Sequence, residues 1–234
     1  MKTSSSVIVL KLSGRLFFSE DFDPVAKAVR RVLGNRKNLR LAIVSGGGST
    51  AREFISVARK VGTDEASLDE IGIAASRLNA KVFAAALGDV AFSSVPRTLT
   101  EIVNLLEVEQ DGRRAAVTGG LHPGQSTNAV GALVSEKLRA DMFVNATDVD
   151  VVYTKDPRKY KDARKLSKVT PAELSKILGE ESMQAGSYDL MDPIALKLIE
   201  RSKIKTWITE CKANSIEKAL MGNPEGTEVV FPKK

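Results

Sequence analysis

Six short runs of apolar residues punctuate this chain of 234 residues: Val7–Leu12, Leu41–Ser45, Ala115–Thr118, Met142–Ala146, Thr206–Thr209 and Glu228–Phe231. They do not alternate apolar with polar positions as a strand with one wet face does. They predict strands buried on both faces, the mark of a mainly parallel sheet with helices above and below it. Helical patterns fill the intervals. Pro24–Leu33 follows Asp23, an N-cap residue type, with proline at the first helical position. The segment after Gly48 carries Thr50-x-x-Glu53, which reads as a capping box. Residues 65–87 read as one long helix whose alanines, Ala74, Ala75, Ala80 and Ala84 to Ala86, permit close packing. Thr170-Pro171-Ala172-Glu173 combines a second capping box with proline at the first helical position, and Asp192-Pro193 opens another helix. Strand and helix alternate along the whole length, which gives the α/β class and predicts a three-layer αβα sandwich with a mainly parallel central sheet. No Pro/Gly/Ser linker divides the chain, so one domain is expected over residues 1–234; approximate functional lobes 1–140 and 141–234 are an expectation that composition does not itself show. The longest irregular pieces are expected at residues 155–168 and 179–187.

One cysteine, Cys211, excludes an intrachain disulfide, and a single histidine beside it leaves no Cys/His zinc site. This usage fits a reducing, cytoplasmic compartment. The apolar runs are far too short to span a bilayer, and Lys11 and Arg15 interrupt the first, so neither a membrane span nor a signal peptide is expected. Basic residues outnumber acidic ones 35 to 29, a net charge of +6. Residues 155–168, KDPRKYKDARKLSK, hold seven bases and two acids, hence five of those six charges. Charge so concentrated, in a chain with 5% aromatics, fits a solvated or phosphate-facing loop. A nucleic-acid surface spreads its bases and interleaves aromatics, so that class is disfavoured.

Four turns follow predicted strands: Lys11-Leu12-Ser13-Gly14-Arg15, then Ser45 to Arg52, then Thr118 to Thr127, then Ala146-Thr147-Asp148-Val149-Asp150. Ligands of open α/β sheets bind outside the carboxyl ends of the strands, so these turns are expected to converge on one crevice. Glycine lets backbone approach a phosphate closely, and a helix start adds free N–H groups and a favourable dipole. Helices are expected after Gly48 and after Gly124, which makes two phosphate sites conceivable, one for a donor and one for an acceptor. Gly46-x-Gly48-x-x-Ala51 matches a relaxed dinucleotide pattern, but it follows the second strand, and Asp69 lies in a helical stretch rather than at a strand end. Gly119 to Ser126 differs from a P-loop in having Gln125 where lysine should stand.

Lys11 is the cation in its apolar run. Phosphoryl transfer needs fixed positive charge on the moving group, and Ser13-Gly14 behind Lys11 favours that role over a strand simply ending at the surface. Arg52 either reaches back to the same phosphates or faces solvent from its helix. Asp150 either orients Lys11, holds Mg²⁺ indirectly, or serves as an ordinary turn aspartate. His122 has no partner set for a metal and reads as a residue organising its loop. Cys211 reads as a small buried hydrophobe.

Taken in order, KLSG (11–14), SGGGSTAR (45–52), GGLHPGQST (119–127), NATDVDVVYTKDP (145–157) and AGSYDLMDPIALK (185–197) resemble the amino acid kinase superfamily. Within it, they are most similar to the archaeal-type uridylate kinases. The resemblance implies ATP- and Mg²⁺-dependent phosphorylation of UMP to UDP on a three-layer αβα fold. It also implies a homohexamer built as a trimer of dimers, a place in pyrimidine nucleotide synthesis, and UTP as an inhibitor. Carried over by motif, Lys11, Leu12, Ser13, Gly14, Arg15, Gly48 and Arg52 would line the ATP phosphates. Thr147, Tyr153 and Asp156 would hold the nucleoside part of ATP, with Asp148 near its phosphates. Gly47, Asp69, Leu121, His122, Pro123, Gly124, Gln125, Ser126 and Thr127 would bind UMP. Lys11, Asp150 and Arg52 would be catalytic, Asp150 organising the Lys11 end, and no residue would hold a resident metal.

The family usually reads Thr-Asn-Val-Asp-Gly-Val-Tyr where this chain has Thr147 to Tyr153. Asp148 thus replaces a neutral amide with a carboxylate, expected either to repel phosphates or to recruit a cation. Val151 replaces glycine, and a β-branched residue is strained wherever φ must be positive. Arg15 stands where some relatives carry lysine. Three other readings remain open: a kinase for another phosphorylated acceptor, a non-catalytic nucleotide-binding oligomer, and a nucleic-acid binder built on the basic segment.

Overall fold

The structure is a computed structural model that describes residues 5–107, 112–155, 157, 159–181 and 190–232. In chain order the elements are β1 (Ser6–Leu12), a 3-10 turn (Gly14–Phe18), α1 (Phe22–Asn35), β2 (Leu39–Ser45), α2 (Gly48–Lys60) and α3 (Glu65–Leu87). A second 3-10 turn (Gly88–Val90), α4 (Leu99–Glu107), β3 (Ala115–Thr118), α5 (Thr127–Leu138) and β4 (Met142–Thr147) follow. The remainder comprises β5 (Val152–Tyr153), β6 (Lys165–Leu166), β7 (Lys168–Val169), α6 (Pro171–Glu181), α7 (Pro193–Ser202), β8 (Thr206–Glu210), α8 (Ala213–Leu220) and β9 (Thr227–Val229).

The main sheet has the order β3-β2-β1-β4-β8-β9-β7. β3, β2, β1, β4 and β8 are mutually parallel. β9 runs antiparallel to β8 and parallel to β7. All five parallel strands therefore deliver their carboxyl ends to one edge. The apolar runs stay buried because both faces are covered. Ile8, Leu10, Leu12, Leu41, Ile43 and Val144 pack on one side with Val29 of α1, Phe83 of α3 and Ile216 of α8. Val9, Ala42, Val44 and Phe143 pack on the other with Ile102 of α4, Val130 of α5, Leu174 of α6 and Ile199 of α7. These two cores on opposite faces are the three-layer αβα sandwich that the sequence predicts. Among the described residues, no helix is long and apolar enough to cross a membrane.

The long helix spans Glu65–Leu87 as expected, and Asp64 caps it through its side chain on Ser67 N–H at 3.0 Å. The Thr170 box forms as written: Glu173 accepts from Thr170 N–H at 2.8 Å and Thr170 Oγ1 accepts from Glu173 N–H at 3.2 Å.

Two helix starts depart from expectation. Asp23 is not an N-cap. α1 begins one residue earlier at Phe22, and the Asp23 carboxylate instead pairs with Lys27 at 2.7 Å, one turn along. Thr50 and Glu53 make no capping box, because α2 begins at Gly48 itself and Thr50 already lies in its first turn. Gly48 has φ +64°, so the chain enters α2 through a left-handed residue that no side-chain cap could replace. The two segments expected to be irregular carry structure. The β5–β6 hairpin and β7 bracket and enter 155–168, and α6 extends past Gly179. The rest of the second segment, 182–187, lies outside the described residues.

Candidate active site

The four expected turns meet at the carboxyl edge of the sheet, held by backbone contacts between neighbouring strands. Ser13 N–H donates to Ala146 O at 2.9 Å, which ties the β1 turn to the β4 turn. Gly46 N–H donates to Leu12 O at 3.0 Å, which ties it to the β2 turn. There the backbones touch. A Cβ on Gly14 would stand 2.5 Å from Gly48 Cα, and one on Gly46 would stand 2.7 Å from Gly14 N. Only glycine allows this approach.

Helix α3 organises the second and third turns. Buried Asn79 donates from Nδ2 to Gly46 O at 2.8 Å and to Gly47 O at 3.2 Å. One turn earlier, Ser76 Oγ accepts from Gly120 N–H at 2.8 Å and donates to Ile73 O at 2.7 Å. Arg77 donates to Gly120 O at 3.0 Å and Leu121 O at 3.2 Å. Asp69, nearer the start of α3, accepts from Gly124 N–H at 2.7 Å. Asp69 is therefore brought together with the Leu121–Thr127 turn, to which the motif reading also assigns UMP. Asn79, Ser76 and Arg77 were missed in the sequence. The signal was there: polar residues inside an alanine-rich helix that otherwise reads as a packing stripe.

At the far end of the third turn Ser126 caps α5, its Oγ accepting from the N–H groups of Asn128 and Ala129, both at 3.0 Å. The same hydroxyl donates to Asp192, which in turn caps α7 through Ile194 and Ala195 N–H at 3.0 Å. Two helix N-termini thus share one hydrogen-bonded pair. Gln125 N–H reaches His122 O at 3.3 Å, closing a tight turn in which His122 and Pro123 are exposed and Leu121 is buried. The His122 contribution to this turn is its backbone carbonyl.

Lys11 does not end its strand at the surface. It is only 7% exposed, on the sheet face toward α5, where a Cβ on Gly131 would lie 3.7 Å from Lys11 Cβ. In register beside it on β4 is Asn145, fully buried, whose Nδ2 donates to Leu190 O at 2.7 Å. Asn145 Oδ1, Asn128 Oδ1, Gln125 Oε1 and Ser45 Oγ are buried without a hydrogen-bond partner among the described residues. Trp207 Nε1 on β8 is likewise buried without a partner among the described residues. Cys211 sits beneath the β1 turn. Burial pushes its thiol up to about 12, against the opposing pull of Ser13 N–H and the Lys11 charge, so it is inert, as expected for a small buried hydrophobe.

The β4 turn carries two ion pairs. Arg15 pairs with Asp148. Asp150 accepts from Lys165 Nζ at 2.6 Å and from Tyr153 Oη at 3.0 Å, binding the turn to the β5–β6 hairpin. Burial raises the Asp150 pKa, but the bonds from Lys165, Tyr153 and Val151 N–H outweigh it and hold the carboxyl below its usual range. Burial and the bond to Asp150 hold the Tyr153 phenol above its own. Val151 is not strained: the described non-glycine residues at positive φ are Arg139 and Lys203. This chain therefore makes the turn without the left-handed residue a glycine would permit. Thr147 is buried at the end of β4, and Arg52 is exposed on α2, one turn past Gly48. Asp156 lies outside the described residues. Among the described residues, no group of three or more His, Cys, Asp or Glu could hold a metal.

A parallel α/β sheet whose glycine turns, helix starts and one buried lysine meet at a single edge defines a class of phosphoryl-handling enzymes. Within that class, the chain belongs to the amino acid kinase family, whose profile it matches over residues 6–210. It is 46% identical over 224 residues to the uridylate kinase of Sulfurisphaera tokodaii, covering 94% of this chain and 97% of that one. It is 42% identical over 230 residues to the uridylate kinase of Sulfolobus acidocaldarius, covering 97% and 99%. The crystal structure of uridylate kinase from Archaeoglobus fulgidus superposes with a TM-score of 0.83 at 36% identity, covering 95% of this chain and 99% of that chain.

The close approach of the first two turns makes Gly14→Ala costly. The added methyl meets backbone, so we expect a stability loss of about 1–3 kcal/mol in urea denaturation, with weaker nucleotide binding. Gly34→Ala in α1, where a Cβ meets nothing within 4 Å, serves as the control and is expected to stabilise slightly. A native-like midpoint for Gly14→Ala contradicts the contact. The Asp150 network predicts a pH response as well. A carboxyl with a depressed folded pKa contributes stability above its unfolded value, about 3.9, and loses it as pH falls through the folded pKa. Lys165→Met is expected to raise the Asp150 pKa in an NMR carboxyl titration, and no shift would remove that bond from the account.

Proposed function

We propose that this protein is a nucleoside monophosphate kinase that transfers the γ-phosphoryl group of ATP to UMP, giving UDP and ADP. The observation that carries the mechanism is buried Lys11 at the point where the glycine turns meet. A cation fixed there, away from bulk water, stabilises the charge that develops on the moving phosphoryl group, and no covalent intermediate is needed. The uridylate kinase relatives, matched over nearly their full length, support UMP as acceptor.

In this reading the first lobe, 1–140, holds UMP. Gly47 and the Leu121–Thr127 turn wrap it, Asp69 takes its ribose, and the α5 start at Ser126/Thr127 faces its phosphate. The second lobe, 141–234, holds ATP through Thr147, Tyr153 and Asp156, with the phosphates on Leu12 to Arg15, Gly48 and Arg52. A groove of about 310 Å³ is lined by Thr154, Leu166, Lys168, Glu173, Lys176 and Ile177, within the second lobe. Asp150 organises the turn through Lys165 and Tyr153. Mg²⁺ enters with ATP as part of the substrate.

The same likeness supports a cytoplasmic homohexamer, a trimer of dimers, working in pyrimidine nucleotide synthesis and inhibited by UTP. The test is transfer of label from γ-labelled ATP to UMP, with and without Mg²⁺. Lys11→Met is expected to fold and bind UMP while turnover falls by at least ~10², the scale of losing one transition-state donor. Unchanged turnover would take Lys11 out of the mechanism.

A further inference from the structure

The ion pair between Arg15 and Asp148 joins the turn after β1 to the turn after β4. Arg15 opens the 3-10 turn after β1, its N–H donating to Ser13 Oγ at 3.3 Å. Asp148 follows β4, its Oδ1 accepting from Thr147 Oγ1 at 3.1 Å, while its Oδ2 takes the Arg15 guanidinium. Both strand ends are already joined by Ser13 N–H to Ala146 O, so the two side chains start from a fixed separation. Their side chains are 59% and 37% exposed, and an exposed pair contributes little to stability. Its significance lies in where it holds a charge.

We propose that Asp148 is a positioning residue. It does not bind ATP but holds the Arg15 guanidinium over the phosphate turn, and the two residues act as one unit toward the donor nucleotide.

The chemistry of the side chains favours this over an unpartnered carboxylate repelling ATP. A guanidinium carries five donors in a rigid fork, and among the described residues Asp148 engages its Nη1. Nε and Nη2 carry donors that can bind a phosphate oxygen while the carboxylate stays in place. An ammonium is a single point charge, and a carboxylate beside it competes directly with the phosphate for that point. Arginine is therefore the cation that tolerates an aspartate at position 148. Lysine fits a neutral amide there. Arg15 and Asp148 are also two of the positions where this chain departs from the pattern its sequence resembles, and the structure joins them to each other.

The inference rests on ATP binding at this turn, and a double-mutant cycle tests it. Arg15→Lys is made in the parent protein and in the Asp148→Asn protein, and MgATP affinity is measured by calorimetry beside the steady-state constants. With Asp148 in place, Arg15→Lys is expected to weaken MgATP binding and raise the KM for ATP by ~10-fold, the scale of a charge-assisted hydrogen bond. In the Asp148→Asn background, the same exchange is expected to cost less than ~2-fold, since the competing charge has gone. The KM for UMP should hold within ~2-fold in all four proteins, which general damage to the fold would not allow. Equal effects of Arg15→Lys in both backgrounds would overturn the proposal while leaving the kinase reading intact. Parent protein that takes up no MgATP would overturn the donor-site reading, and the proposal with it.

Discussion

The approach of two backbones at Gly14, Gly46 and Gly48 is the constraint on which the candidate site depends. β1 and β2 are adjacent parallel strands, so their outgoing turns compete for the same space beyond the sheet edge. Without side chains at three positions the turns nest, and Gly48 can start α2 from a left-handed conformation. Any Cβ would drive the turns apart and carry the α2 start away from the β1 turn. The surface these turns present is thus a by-product of packing that only glycine permits.

Nesting places the turns, and helix α3 locks them. Its residues 69, 76, 77 and 79 each reach a glycine-rich turn, so one rigid helix sets the spacing between the β2 turn and the β3 turn. Ser126 and Asp192 then join the starts of α5 and α7, extending the same frame to the segment before α7. Substrate geometry in a transfer reaction tolerates little slack. A frame of helix-borne hydrogen bonds meets that demand better than free loops.

Much of this was legible in the sequence, for identifiable reasons. A strand covered on both faces must be apolar throughout, and so Leu41–Ser45 and Ala115–Thr118 announced themselves. The 65–87 helix was bounded correctly because Asp64 and Gly88 flank a stretch whose alanines, leucines and glutamates outweigh Gly72, Ser76 and Asn79. Helix starts were less legible where tertiary structure decided them. Asp23 and Thr50 are good cap residues by type, but a local turn through Ser19 to Asp21 starts α1 earlier, and contacts distant in sequence, from Leu12 and Asn79, set the turn ahead of α2. β5, β6 and β7 have two residues each, too few to show a period. In the site, the turns were visible and their supports were not. Asn79 and Ser76 look like minor interruptions of an alanine stripe until the fold brings Gly46 and Gly120 against them. The burial of Lys11 was likewise hidden, since only the packing of α5 across β1 shows that the strand continues inward.

Charge at the mouth of the site completes the picture. Asp150 is satisfied by Lys165 and Tyr153, and Asp148 by Arg15, so neither carboxylate meets an incoming nucleotide uncompensated. The basic segment is partly spent in the same way, Lys155 on Asp162 and Lys165 on Asp150. The central claim is that this arrangement performs phosphoryl transfer to a pyrimidine monophosphate. It is tested most directly by a coupled ADP-release assay with MgATP and a panel of UMP, CMP, dTMP, AMP and GMP. Turnover is expected with UMP and little with the purine nucleotides. A flat panel from folded protein that still binds ATP would contradict it and assign the chain to a nucleotide-binding, non-catalytic role.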